Sequence, residues 1–161
     1  MEIYLLRHAI AEAARPGMKD SERALTEAGR AKLRRVLRRA KDAGVQPDLI
    51  LTSPYRRARE TAEEAAAALA YRNKIVQTQA LVPGASPFDA WEEIRSRPDE
   101  GSILLAGHEP HMSSLMAFLL GNPAMQVDMK KAALARLDCE RLGAEPQAML
   151  KWLLTPATAG E

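Results

Sequence analysis

Glu2-Ile3-Tyr4-Leu5-Leu6-Arg7-His8 is an apolar run of strand length that ends abruptly in an arginine and a histidine. Two later runs end the same way. Asp48-Leu49-Ile50-Leu51-Thr52 leads into Ser53-Pro54-Tyr55-Arg56-Arg57, and Ser102-Ile103-Leu104-Leu105-Ala106-Gly107 leads into His108-Glu109-Pro110. In an open, mostly parallel sheet, side chains just past the carboxyl ends of strands converge on one crevice, where ligands bind. If these runs are neighbours, two histidines and at least two arginines meet there.

The intervening segments read as helices. Thr26 is an N-cap with Glu27 favourable behind it, for a helix to about Ala43 that Gly44 stops. Pro54 suits the start of a second helix to about Leu69, rich in Ala, Arg and Glu. Lys74 to Thr78 reads as a short strand near a sheet edge, and Leu81 to Ser86, with Pro83-Gly84, as a turn-rich connection. Phe88 to Arg97 reads as a short helix ended by Pro98, and Pro110 opens another to about Leu120. Ala132 to Asp138 and Ala148 to Leu154 read as strands paired across a turn at Arg141 to Pro146. The uniformly apolar 102–106 run is expected to be buried on both faces. Strands alternating with helices predict an α/β three-layer sandwich, a mostly parallel central sheet with helices on both faces.

Composition narrows the function. At 161 residues, 47% hydrophobic and 27% charged, the chain suits one domain over 1–161. No run of eighteen apolar residues argues for a membrane span, and no leader is expected ahead of the first strand. A lone cysteine excludes an internal disulfide framework and predicts a reducing, cytoplasmic location. A net charge of +2 with only 4% aromatic residues disfavours nucleic acid. Arg30, Lys32, Arg34, Arg35, Arg38, Arg39 and Lys41 are clustered, with Leu33, Val36, Leu37 and Ala40 at helical spacing among them. These charges are expected on a solvated helix face; the other reading is a docking face for an acidic protein.

Paired histidines and arginines suit phosphoryl transfer. The migrating group carries negative charge spread over three equatorial oxygens, so catalysis is mostly positioning and electrostatic stabilisation. An arginine fork grips two oxygens and never loses its charge. Histidine titrates near neutrality and can form a covalent intermediate. No metal or other cofactor is required by this set. His108, Glu109 and His111 invite a zinc reading, weakened by Pro110 between them and by the want of a third strong ligand. Cys139 lacks the phosphate loop of a thiol phosphatase, and no Gly-rich nucleotide loop is present.

Leu6-Arg7-His8-Ala9, Leu25-Thr26-Glu27-Ala28-Gly29, Thr52-Ser53-Pro54-Tyr55-Arg56-Arg57-Ala58 through Thr61, and Gly107-His108-Glu109-Pro110 together resemble the histidine phosphatase (phosphoglycerate mutase-like) superfamily. The short chain and the His-Glu-Pro segment are most similar to its bacterial phosphohistidine phosphatase SixA branch. The resemblance implies a phosphoglycerate mutase-like fold and a phosphatase acting through a phosphorylated His8. It further implies phosphate binding by Arg7 and Arg57, not Arg56, and His108 as the second histidine. Glu109 resembles the acid of the acid-phosphatase branch; otherwise it caps the next helix or faces solvent. Ser53 and Thr26 match motif positions read as loop and helix geometry. Ala9 replaces the usual glycine, and Ala14 stands where many members carry a polar phosphate contact. Only Tyr71 to Gly101 occupies the place of the larger members' lid insertion. An open site able to accept phosphohistidine displayed by a partner protein, a phosphotransfer domain or a phosphocarrier, is therefore expected. A phosphatase for a small metabolite and a non-catalytic phosphohistidine-binding module are the alternatives.

Overall fold

The apolar runs become the centre of one six-stranded sheet because both of its faces are covered. The computed structural model describes residues 1–161. Its strands are β1 (Glu2–Arg7), β2 (Leu49–Thr52), β3 (Val76–Gln77), β4 (Ser102–Gly107), β5 (Leu134–Cys139) and β6 (Ala148–Leu154), in the spatial order β3-β2-β4-β1-β5-β6. The first four are parallel; β5 runs antiparallel to β1, and β6 antiparallel to β5. The helices are α1 (Glu27–Asp42), α2 (Arg56–Ala68), α3 (Pro87–Arg95) and α4 (His111–Leu119).

The period-two geometry of strands sorts the side chains. Ile3, Leu5, Leu51, Ile103 and Leu105 join Trp91 and Ile94 of α3 and Leu115 and Leu119 of α4 in one core. Tyr4, Leu6, Ile50, Leu104 and Ala106 point the other way, onto Leu33, Val36 and Leu37 of α1 and Ala62 and Ala65 of α2. The result is the expected three-layer sandwich. The added feature is that β5 docks antiparallel on β1, so the late strand pair extends the main sheet.

Local signals explain most boundaries. Thr26 Oγ1 accepts the Gly29 N–H at 3.0 Å, the expected N-cap of α1. Gly44, at φ +79°, ends that helix in a conformation open to glycine. Gly29 is required for another reason: a Cβ there would overlap the carbonyl oxygen of Ile10 and lie 3.0 Å from that residue's own Cβ. This close approach seats α1 against the chain just beyond β1.

Two starts differ from expectation. The second helix begins at Arg56 rather than Pro54, because Ser53 Oγ accepts the Tyr55 N–H at 3.2 Å and holds residues 53–55 as a turn. The fifth strand begins at Leu134, since a turn closed by Ala133 N–H to Lys130 O, 2.9 Å, comes first, with Ala132 at φ +64°. At α3 an unread signal supplied the start: Ser86 and Asp89 form a reciprocal capping box. Among the clustered cations, Arg30 pairs with Glu60 and Glu64 at 2.9 Å each and Arg34 with Glu64 at 2.8 Å, tying α1 to α2. No helix is long and apolar enough to cross a membrane.

Candidate active site

Sheet register brings the two histidines together. Arg7 of β1 lies opposite Gly107 of β4, and Thr52 of β2 opposite Ala106. One residue further on, the His8 N–H donates to Gly107 O at 2.9 Å and the Ser53 N–H to Ala106 O at 3.0 Å. The rings of His8 and His108 are 5.2 Å apart, tilted by 56°. Tyr55 presents its ring edge-on to His108 at 5.3 Å, and the Arg57 guanidinium carbon sits 5.2 Å from the Tyr55 ring centre. His8, His108 and Arg57 are all buried, so the Arg57 fork is turned inward.

Each group is held by identifiable partners. His8 Nδ1–H donates to the Ala9 carbonyl at 2.7 Å, which leaves Nε2 as the ring's lone-pair nitrogen. The Ala9 N–H donates to Thr61 Oγ1 at 3.1 Å, and Thr61 Oγ1 in turn donates to Arg57 O at 2.6 Å. This buried threonine fastens the end of β1 to α2. Arg7 Nη1 donates to Met129 O at 2.9 Å. Arg57 donates through Nη1 to Asp20 O at 2.9 Å and through Nη2 to Asp20 Oδ2 at 3.1 Å. His108 Nε2 and Ser53 Oγ share a hydrogen bond of 2.8 Å. Arg7 Nε, Arg57 Nε and His108 Nδ1 make no hydrogen bond within the protein.

Glu109 sits beside His108 in sequence, but its Oε1 accepts the Ser113 N–H at 2.7 Å and so caps the first turn of α4. Ring nitrogen Nε2 of His111 donates to Ser86 O at 3.1 Å. No group of three or more His, Cys, Asp or Glu is gathered that could hold a metal ion, so His108, Glu109 and His111 do not form the zinc set that their spacing invites. The buried Cys139 thiol donates to Arg141 O at 3.2 Å, on the far strand pair.

Electrostatics keep both imidazoles neutral. Burial pushes the His8 pKa down to about 4, reinforced by the charges of Arg57, Arg7 and Lys131 against the bond to Ala9. Burial likewise pushes His108 down to about 3, with His8 and Arg57 adding to it. Burial raises the Asp20 carboxyl, yet its bonds and proximity to Arg57 and Arg23 outweigh this and hold it below its ordinary value. An unfolded histidine titrates near 6.5, so below that pH the unfolded chain binds protons that the folded chain refuses. Stability is therefore full above pH 6.5 and falls as the pH drops toward 4. Urea unfolding should show wild type losing about 2 kcal/mol more than His8→Asn between pH 7 and 4.5. Parallel losses in the two proteins would mean that His8 titrates normally in the fold.

Strand ends alone point to Arg7, His8, His108 and the Arg56-Arg57 pair, from which the family resemblance selects Arg57. Asp20, Tyr55 and Thr61, and the direct contact of Ser53 with His108, lie beyond both signals. Ser53 carries the same signal as the histidines, a polar residue immediately past a buried strand, and does more than shape the loop.

Residues 3–82 match the model of the histidine phosphatase superfamily (branch 1). An uncharacterized protein of Picosynechococcus sp. is 33% identical over 139 residues, covering 85% of this chain and 84% of its own. A crystal structure from Agrobacterium tumefaciens, assigned provisionally as the phosphohistidine phosphatase SixA, is 30% identical. It covers 96% of this chain and 97% of its own, with a TM-score of 0.83. The protein histidine phosphatase SixA complexed with tungstate shares the fold at 23% identity, with 98% of each chain covered and a TM-score of 0.84.

Proposed function

Because the chain belongs to the histidine phosphatase superfamily, we propose that it hydrolyses phosphohistidine on a partner protein through a phosphorylated His8. The observation that carries this reading is the His8 ring itself. Its Nδ1–H is committed to Ala9 O, its burial keeps it neutral, and its neighbour at 5.2 Å is a second neutral imidazole.

In the first step the Nε2 lone pair of His8 attacks phosphorus. The P–N bond to the partner's imidazole breaks, its electron pair stays on that ring nitrogen, and the nitrogen takes up a proton. In the second step water attacks phospho-His8, its P–N bond breaks, and inorganic phosphate leaves with His8 restored. Arg7, Arg57 and His108 hold the phosphoryl oxygens, using donors that have no partner within the protein. Tyr55 N–H occupies one lone pair of Ser53 Oγ, which leaves the serine hydroxyl proton for His108 Nε2. That tautomer directs an Nδ1–H toward the oxyanion. Glu109 caps α4 through Oε1, the second of its two readings; as a proton donor it would have to act through Oε2. Imidazole leaves more readily than an alkoxide, so the demand on this acid is small. Two arginines supply the positive charge, and no metal is assigned.

The preference for a protein-borne substrate rests on the short 71–101 segment, whose only longer element is the nine-residue α3. It provides no lid to enclose a metabolite. The test is a turnover comparison between a phosphorylated phosphotransfer domain and a panel of phosphorylated metabolites. The expected result is a kcat/KM about tenfold or more higher for the protein. A metabolite that outpaces it would overturn the reading, as would phosphate binding with no turnover of either.

A further inference from the structure

Beside Arg7 runs a groove of about 550 Å³ whose charged lining is entirely cationic: Arg7, Lys32, Arg35, Lys130 and Lys131. The cations come from three places in the fold, the end of β1, the outer face of α1 and the loop before β5. The C-terminal turn at Thr155 and Pro156 completes it. Resting on the reading above, we infer that an acidic surface of the phosphohistidine-bearing protein lies in this groove while its phosphoryl group reaches His8.

The first support is the pairing pattern on α1. Arg30 and Arg34 spend their charge on Glu60 and Glu64. Lys32 and Arg35 lie on the adjoining stripe and have no carboxylate within salt-bridge distance; the same is true of Lys131. Arg35 is half-buried, with Nε unpartnered and Nη2 reaching only Pro156 O at 3.4 Å. Among the lysines only Lys130 is neutralised, by Asp128 at 2.7 Å on an exposed rim. Like charges packed around one hollow repel, and an acidic occupant relieves that repulsion.

The second support is continuity with the catalytic centre. Arg7 lines both. The groove's far wall is bonded to the backbone of the centre, through Ala132 N–H to His8 O at 3.2 Å and Arg7 N–H to Ala133 O at 3.0 Å. The positive φ of Ala132 turns the chain so that Lys130 and Lys131 stand beside Arg7. The character of the cations selects the occupant. A second phosphate on a small substrate would be gripped by buried, bidentate arginine. Lys32, Lys130 and Lys131 are instead exposed. Flexible exposed lysines suit the dispersed carboxylates of a protein surface, where they govern encounter rate and salt dependence.

The experiment uses the full chain and, as probe, a phosphorylated phosphotransfer domain with Asp and Glu within two helical turns of its phosphohistidine. The variant Lys32→Glu/Lys130→Glu is compared with Arg38→Glu/Lys41→Glu, an equal charge change among α1 residues outside the groove. At low salt the first should lower kcat/KM for the phosphorylated domain about tenfold or more and flatten its salt dependence. The second should change it less than about twofold, and both should hydrolyse N-phosphoimidazole like wild type. Amidating the domain's acidic residues should remove the difference between wild type and the groove variant. An unchanged rate with the groove variant, or equal losses on domain and N-phosphoimidazole, overturns the docking groove alone. Failure of wild type to hydrolyse the phosphorylated domain overturns the underlying function, and with it the groove.

Discussion

Replacing His8 by Asn is expected to lower kcat by about 10⁴-fold or more, the scale on which removing a covalent nucleophile acts in other hydrolases. Asparagine is chosen because its amide can still donate to Ala9 O, the bond that His8 makes at 2.7 Å. The residue is buried and carries no charge near neutrality, so a neutral replacement of similar size leaves the surrounding charges undisturbed. Phosphate should still bind, because Arg7, Arg57 and His108 are untouched. Wild-type protein quenched during turnover should carry an acid-labile phosphoryl group on His8, seen by mass spectrometry and missing from the variant. A variant within about tenfold of wild type would eliminate the covalent route. A wild type that binds phosphate without ever turning over would mark a binding module.

Much of this centre was legible because it rests on the sheet. Uninterrupted apolar runs such as Ile3 to Leu6 and Ile103 to Ala106 announce strands covered on both faces. A polar residue directly after such a run lies just past the carboxyl end of its strand, which makes Arg7-His8 and Gly107-His108 legible in the sequence. What stayed hidden depends on contacts between distant segments. Asp20 meets Arg57 across 37 positions, and Thr61 meets Ala9 across 52; neither pairing has a local period or cap to betray it. The basic cluster on α1 was visible as a cluster, but its division was not. Whether Arg30 pairs inward or Lys32 faces a groove depends on where Glu60, Glu64 and the 130–131 loop come to rest. The helix starting at Arg56 was misplaced for a smaller reason. Proline is compatible with a first helical turn, but the Ser53 hydroxyl captures the Tyr55 N–H and delays the start.

Arg57 and Arg56 offer the sharpest contrast between adjacent residues of one type. Arg56 is half exposed and bonded to Glu60 at 2.8 Å, an i to i+4 pair on the surface of α2. Truncating it to Ala should leave kcat/KM within about twofold, as expected for an exposed ion pair remote from the reacting atoms. Arg57 is 5% exposed, held by Asp20 on two of its nitrogens and flanked by the Tyr55 ring. In the proposed mechanism its charge faces the three oxygens that share the developing negative charge, so its loss should appear mainly in kcat. Arg57→Ala should cost about 10²–10³-fold, the usual range for one oxyanion donor in a preorganised site. Arg57→Lys should recover only part of this, because an ammonium keeps the charge and loses the planar fork. The Asp20 pair also makes a separate readout available. Once Arg57 is gone, the Asp20 carboxyl loses its strongest cationic partner and its pKa should rise, a shift that NMR titration can follow. A large loss of activity without that rise would mean that Arg57 does not hold Asp20 in solution. An Arg57→Ala enzyme with nearly normal kcat, or an Arg56→Ala enzyme as impaired as it, would remove Arg57 from the phosphate site.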